Sequence, residues 1–179
     1  MSDIILDHRM TDIEVLSEET NAVIVSIACV KFSMKTSYTE SFCVNINPAS
    51  SKALGLHISK DTLNWWKKQK PEALKSWMHS RINLPDALDQ FIEFCGTYKN
   101  TIHWAQGIAF DFPILDSSLK VCGKTPPWKY WNVYDARTAN YLGAVNPFDE
   151  PRVGQYHSAL DDCYTQIQNL KKAIGITHE

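Results

Sequence analysis

Residue types that could hold a cation or move a proton fall in three short stretches of this sequence: "DIE" with Asp12 and Glu14, "FD" ending on Asp111, and "YHSALDDC" with His157, Asp161 and Asp162. Asp12 and Glu14 are two apart in a strand-like segment, so their side chains point to the same side of a sheet. Asp111 directly follows the strand-like "TIHWAQGIAF", where a ligand crevice opens in α/β proteins. Carboxylates brought together repel and lose hydration. A divalent cation removes that penalty, and hard oxygen ligands from scattered strand ends suit Mg2+ or Mn2+. Two such ions about 3.5–4 Å apart can clamp the attacking and leaving oxygens of a phosphodiester. A histidine, with an ordinary pKa of ~6.5, is the natural base for water near neutral pH. Spacing alone leaves solvated surface acids as the ordinary alternative. A zinc site using His157 and Cys163 lacks the usual ligand spacing.

These side chains need a scaffold, and the hydrophobic pattern describes one. "MTDIEVL" within 4–16 and the β-branched run "AVIVSIACVKF" at 22–32 read as a hairpin joined by "SEETN", the second strand being buried on both faces. "ESFCVNI" at 40–46 reads as a third strand and "NPASSKALG" at 47–55 as a loop. Helices are expected after Ser59, an N-cap, and from Pro71, with Leu74, Trp77 and Met78 on one face. Leu88, Phe91, Ile92 and Cys95 form the clearest amphipathic stripe, between Pro85 and Tyr98. "TIHWAQGIAFDFPIL" reads as a strand, a turn at Gly107 and a helix entered near Asp111, with Pro113 in its first turn. "WNVYDARTAN" supplies a fifth strand and a helix start. After the loop at 144–156, a last helix runs from about Ser158 to Ala173 with Leu160, Cys163, Tyr164, Ile167 and Leu170 inward. Ser158 and Asp161 match the S-x-x-D spacing of a capping box. The order describes a mixed α/β domain, expected to be single over 1–179.

Composition narrows the function classes. A net charge of −2 is unlike that of a duplex-coating protein. Five widely spaced cysteines without C-x-x-C, and no signal-peptide pattern, suggest reduced thiols and a cytoplasmic address. No apolar run is long enough for a membrane span. Adjacent Trp65 and Trp66 point ~100° apart on a helix, so one of them could stack a base. Trp104 is expected in the core. Arg137 could meet a phosphate or an active-site carboxylate.

"DIE" in an N-terminal strand, "FD" after a central strand and "H-x-x-x-x-D" at the last helix resemble, in order and rough spacing, the three motifs of the DEDDh 3′→5′ exonucleases. "TLNWWKKQKPEA", "WAQGIAFDFPIL" and "YWNVYDARTA" are similar to the branch containing phage exodeoxyribonuclease A and related bacterial exoribonucleases. The resemblance spans about residues 8–172. It implies an RNase H-like fold, a five-stranded mixed sheet flanked by helices. It implies that Asp12, Glu14, Asp111 and Asp162 hold two Mg2+ or Mn2+ ions. It implies that His157 is the general base for a water that attacks the terminal phosphodiester of DNA or RNA, releasing a nucleoside 5′-monophosphate. Glu14 and the backbone near Val15 and Leu16 are then expected at the terminal nucleotide. The implied partner is a single strand or 3′ overhang; some relatives are dimers, so a homodimer is a second partner to test. A sister group uses a tyrosine four residues before its last aspartate, where this chain has Ser158. The competing readings are a catalytically silent nucleic-acid-binding or interaction module of the same fold, and an internally cutting nuclease or other metal hydrolase.

Overall fold

The computed structural model describes residues 5–78, 80, 82–97 and 99–175. Strands β1 (His8–Val15), β2 (Ile24–Phe32) and β3 (Thr39–Asn45) form an antiparallel meander. Helices α1 (Pro48–Ala53), α2 (Lys60–Trp66), α3 (Pro71–Met78) and α4 (Leu84–Cys95) follow. Strand β4 (Ile102–Ala105), helix α5 (Ile108–Val121), strand β5 (Val133–Asp135), helix α6 (Ala136–Leu142) and helix α7 (Ala159–Ala173) complete the chain. The sheet runs β3-β2-β1-β4-β5, with β4 parallel to β1 and β5 parallel to β4. This five-stranded mixed sheet flanked by helices is an RNase H-like fold. Among the described residues, no helix is long and apolar enough to cross a membrane.

Each face of the sheet has its own core. Ile13, Val15, Val25, Ile27 and Cys29 pack with Leu88 and Phe91 of α4 and Leu115 and Leu119 of α5. Met10, Ala28, Val30 and Phe32 face the opposite way, against Cys163, Ile167 and Leu170 of α7 and Ala136 of α6. Strand β2 is thus buried on both faces, which its apolar run, broken only by Ser26 between Ile24 and Val30, requires. The Cys163 thiol donates to the Met10 carbonyl at 3.4 Å. That contact sets the register of α7 on β1, two residues from Asp12.

Three local expectations need correction. Residues 48–53 form helix α1 rather than a loop. Asn47 caps it by accepting from the Ala49 N–H at 3.1 Å, and Pro48 occupies an N-terminal position where its missing donor costs nothing. Helix α5 begins at Ile108, not near Asp111, so Pro113 lies past the first turn. The early start comes from Asp135, whose Oδ1 accepts the N–H groups of Gly107 at 3.0 Å and Ile108 at 3.2 Å. Met78 ends exposed rather than inward, while Leu74 packs on the core; Tyr98 and the Trp77 side chain lie outside the described residues. Trp104 is half-buried, its indole donating to His8 Nδ1 at 2.9 Å.

Candidate active site

Asp12 and Glu14 project from β1 on the α7 face, opposite Ala28 and Ser26 of β2. The small partners leave room above the sheet, and the β1–β2 register shifts between Glu14 and Val15, just where the site opens. Helix α7 brings in Asp162. Carboxylate oxygens of Asp12, Glu14 and Asp162 lie within 4.8 Å of one another. Asp111 stands in the first turn of α5, nearly buried, and is close enough to push up the carboxyls of both Asp12 and Glu14. The four acids come from an edge of three separate elements, which is why no local pattern joins them.

Burial and mutual repulsion leave these carboxyls ready to hold protons. Burial, then Asp111, Glu14 and Asp162, push Asp12 far above the ordinary carboxylate range. Burial, then Asp162 and Asp111, push Glu14 up to about 8. Burial raises Asp111 to about 7, against hydrogen bonds from the backbone of Ile13 and Asp111 and the pull of Arg137. Burial also raises Asp162, which Arg152 partly offsets. A cluster this frustrated is characteristic of a cation site.

His157 closes the site from the loop before α7. Its backbone is left-handed, φ 62°, an uncommon state for a side chain other than glycine. Its ring meets Trp65 edge-on at 4.7 Å and Trp66 at 6.0 Å. Burial holds its pKa below the ordinary value, Asp162 opposing and Arg152 assisting, so the imidazole is neutral near pH 7.

The adjacent tryptophans divide as the ~100° helical step requires. Trp66 is buried and its indole donates to the Val15 carbonyl at 2.8 Å, pinning α2 to the end of β1. Trp65 is 42% exposed and lines a cavity of about 530 Å3 together with Glu14, Val15 and Phe110. Leu16 is buried, with its N–H given to the Val23 carbonyl and its own carbonyl accepting from Ser59. Arg137, at the start of α6, lies over Gly107 and donates to the Gln106 carbonyl at 3.3 Å.

The capping-box expectation for Asp161 does not hold, because Ser158 caps α7 without a side-chain hydrogen bond. Asp161 instead accepts the Gln155 N–H at 2.8 Å and fills the space over Gly154, where a Cβ would stand 2.3 Å from its carboxyl carbon. It therefore ties the preceding loop down. Asp162, its neighbour, faces the acids.

Two residues at the site escape sequence reasoning. Gln166 donates to Asp12 Oδ1 at 2.7 Å. It lies one helical turn after Asp162, a spacing that could have flagged it. Arg152 bonds Asp162 Oδ1 at 2.6 Å and covers the Tyr156 ring at 4.0 Å. Nothing local marks it, since it sits in an irregular loop.

Clustered acids at the end of β1, completed from α5 and α7 on an RNase H-like sheet, define a DEDDh-type 3′–5′ exonuclease. The chain belongs to the family of the 3′-5′ exoribonuclease Rv2179c-like domain, whose sequence profile matches residues 7–174. It is 25% identical to an exodeoxyribonuclease of Enterobacteria phage T4 over a 198-residue alignment, covering 91% of this chain and 87% of that protein. Among solved structures it is similar to the nuclease domain of 3′hExo, a DEDDh family member bound to rAMP. That likeness has a TM-score of 0.64 at 14% identity, covering 97% of this chain and 94% of the other. S. pombe Pop2p, in its Mg2+ and Mn2+ bound form, is similar with a TM-score of 0.58 at 12% identity, covering 93% of this chain and 82% of that one.

Proposed function

We propose that this chain, as a single catalytic domain, shortens single strands or 3′ overhangs of nucleic acid from the 3′ end. In this reading Asp12, Glu14, Asp111 and Asp162 hold two ions, Mg2+ or Mn2+, and His157 is the general base. The observation that carries it is the meeting of three carboxylates within 4.8 Å beside a neutral imidazole. Half-buried acids with raised pKa values fit hard divalent cations, which would replace the protons. When bound, such ions neutralise the phosphate and the departing oxygen.

The protein groups do the rest. His157 accepts a proton from water; the water oxygen attacks the terminal phosphorus, the bond to the 3′ oxygen of the preceding nucleotide breaks, and that oxygen takes up a proton from solvent to become a hydroxyl. A nucleoside 5′-monophosphate leaves. Trp65 and Phe110 offer faces for the terminal base, Glu14 and Val15 contact its sugar, and Gln166 orients Asp12. Leu16, with its backbone groups committed, supports the pocket from behind rather than bonding the nucleotide. Trp66 acts in the same way, by fixing α2.

Incubating 5′-labelled single strands with Mg2+ or Mn2+ tests the reading. A ladder shortened from the 3′ end is expected. Discrete internal fragments would mark an endonuclease, and no cleavage of either matched DNA or RNA strand would mark a silent binding module. The same assay, run side by side, reads the sugar preference.

A metal-linked stability change is also expected. Glu14 at about 8 and Asp111 at about 7 keep protons that the unfolded chain has lost, since ordinary acids titrate near ~4. A raised folded pKa contributes stability that is complete below the unfolded value and is lost as pH rises through the folded one. His103, pushed down to about 3 by burial and Arg9, acts in the opposite sense but only below its unfolded value of ~6.5. From about pH 6.5 to 8.5, Tm in chelator should therefore fall by several degrees, and Mn2+ should raise Tm more at the upper pH. A metal-induced gain that is equal at both pH values, or absent, would remove the four acids as ligands.

A further inference from the structure

Arg152 sits in an irregular loop, yet its guanidinium is committed to the acid cluster. Its Nη2 donates to Asp162 Oδ1 at 2.6 Å and to the Gln155 carbonyl, and its central carbon stands 4.0 Å from the centre of the Tyr156 ring. The paired side chains of Arg152 and Asp162 are only 17% and 20% exposed. The segment that carries Arg152 is tied to α7. The Val153 N–H donates to the Thr165 hydroxyl at 3.1 Å, and the Gln155 N–H to Asp161 at 2.8 Å. A pair held in this way differs from an exposed ion pair, which solvent and side-chain entropy reduce to little.

The pair falls on one of the three carboxylates that meet within 4.8 Å. Among the described residues, no other lysine or arginine forms an ion pair with Asp12, Glu14 or Asp162. Asp12 has a neutral partner instead, the Gln166 amide at 2.7 Å. Arg152 therefore supplies the positive charge in direct contact with this set. A divalent ion taking an oxygen of Asp162 would stand beside that charge, and like charges in a half-buried site repel more strongly than in water. The guanidinium and the ion compete for one carboxylate.

We propose that Arg152 is a built-in counter-ion of the three-carboxylate site: it holds Asp162 in place ahead of the metal and opposes the ion that Asp162 receives, so it sets the cation concentration at which the site fills. Arg152 is a positioning residue, since it acts through Asp162. The proposal rests on the metal-dependent reading above.

Binding of Mn2+ to the metal-free full chain, read from the electron paramagnetic resonance of the free ion, tests this without turnover. At about pH 8.5 a proton does not take the guanidinium's place. Arg152→Gln should lower the Mn2+ Kd about ten- to a hundredfold, the equilibrium equivalent of one hydrogen bond to a charged group. Arg152→Lys keeps the charge, and the pair uses one nitrogen rather than the fork, so its Kd should stay within about threefold of wild type. In an Asp162→Asn background, Arg152→Gln should change Kd by no more than about threefold. A Kd that is unchanged or higher in Arg152→Gln, or that moves alike in the Lys and Gln variants, overturns the counter-ion role. Should Arg152→Gln fail to fold by circular dichroism, the wild-type protein decides. Its Arg152 Nε–H resonance, identified by its loss in Arg152→Lys, should shift as Mg2+ fills the site; a resonance that stays fixed while Mg2+ binds overturns the proposal. Wild-type protein that binds neither ion would instead overturn the metal-dependent reading, and this inference with it.

Discussion

Asp162→Asn should lower kcat by about a thousandfold, the rate equivalent of losing roughly 4 kcal/mol of metal-borne stabilisation. Its oxygen lies within 4.8 Å of those of Asp12 and Glu14, in a cluster already strained by like charge. The variant keeps shape and size while removing a charge, so the fold should survive. Its neighbour provides the control. Asp161→Asn weakens a charge-assisted bond to the Gln155 N–H, for a cost of about 1 kcal/mol or a Tm fall of ~2–4 °C, with turnover reduced no more than a few-fold. Circular-dichroism melts in chelator and single-turnover rates at saturating Mn2+ would rank the pair. If Asp161→Asn is the catalytic lesion and Asp162→Asn the structural one, the division between them is wrong.

His157→Ala should lower kcat by about 10²- to 10⁴-fold, the usual contribution of a positioned base, and change KM little. The imidazole accepts a proton only when neutral. With His157 held below ~6.5 by burial, kcat at saturating metal should rise with pH through that depressed value and level off above it. In the alanine variant that limb should disappear. Steady-state profiles from about pH 5 to 8 at saturating Mn2+ would show this. A variant that loses only affinity, or retains the limb, would remove the general-base assignment and leave the ring as a wall against Trp65.

Much of this molecule was legible beforehand because its signals are local. A β-branched run buried on both faces needs only its own composition to declare itself, and β2 does so. The stripe Leu88, Phe91, Ile92 and Cys95 lies within one helix, and α4 follows it. The acids and histidine stood out by residue type, spacing and their likeness to family motifs. The failures came where a side chain from elsewhere sets a boundary. Asp135 starts α5 early by accepting two N–H groups from a segment 28 residues away, at Gly107, and its neighbour. Asp161 finds Gln155 rather than the cap, because the loop folds back over it.

The sequence by itself determined which chemistry was available: paired acids on a strand, an acid at a strand end, and a histidine ahead of a helical acid. Those follow from residue types and periods of two and 3.6, which act over a few positions. Tertiary packing decided which way each member of a pair faces. Trp66 turned inward to the Val15 carbonyl, leaving Trp65 against His157. Gln166 reached Asp12 across 154 positions of chain, and Arg152 reached Asp162 from an irregular loop. Contacts of that kind depend on the register of α7 over β1, held by Cys163 above Met10. That register comes from the fit of two apolar surfaces, and neither surface carries it alone.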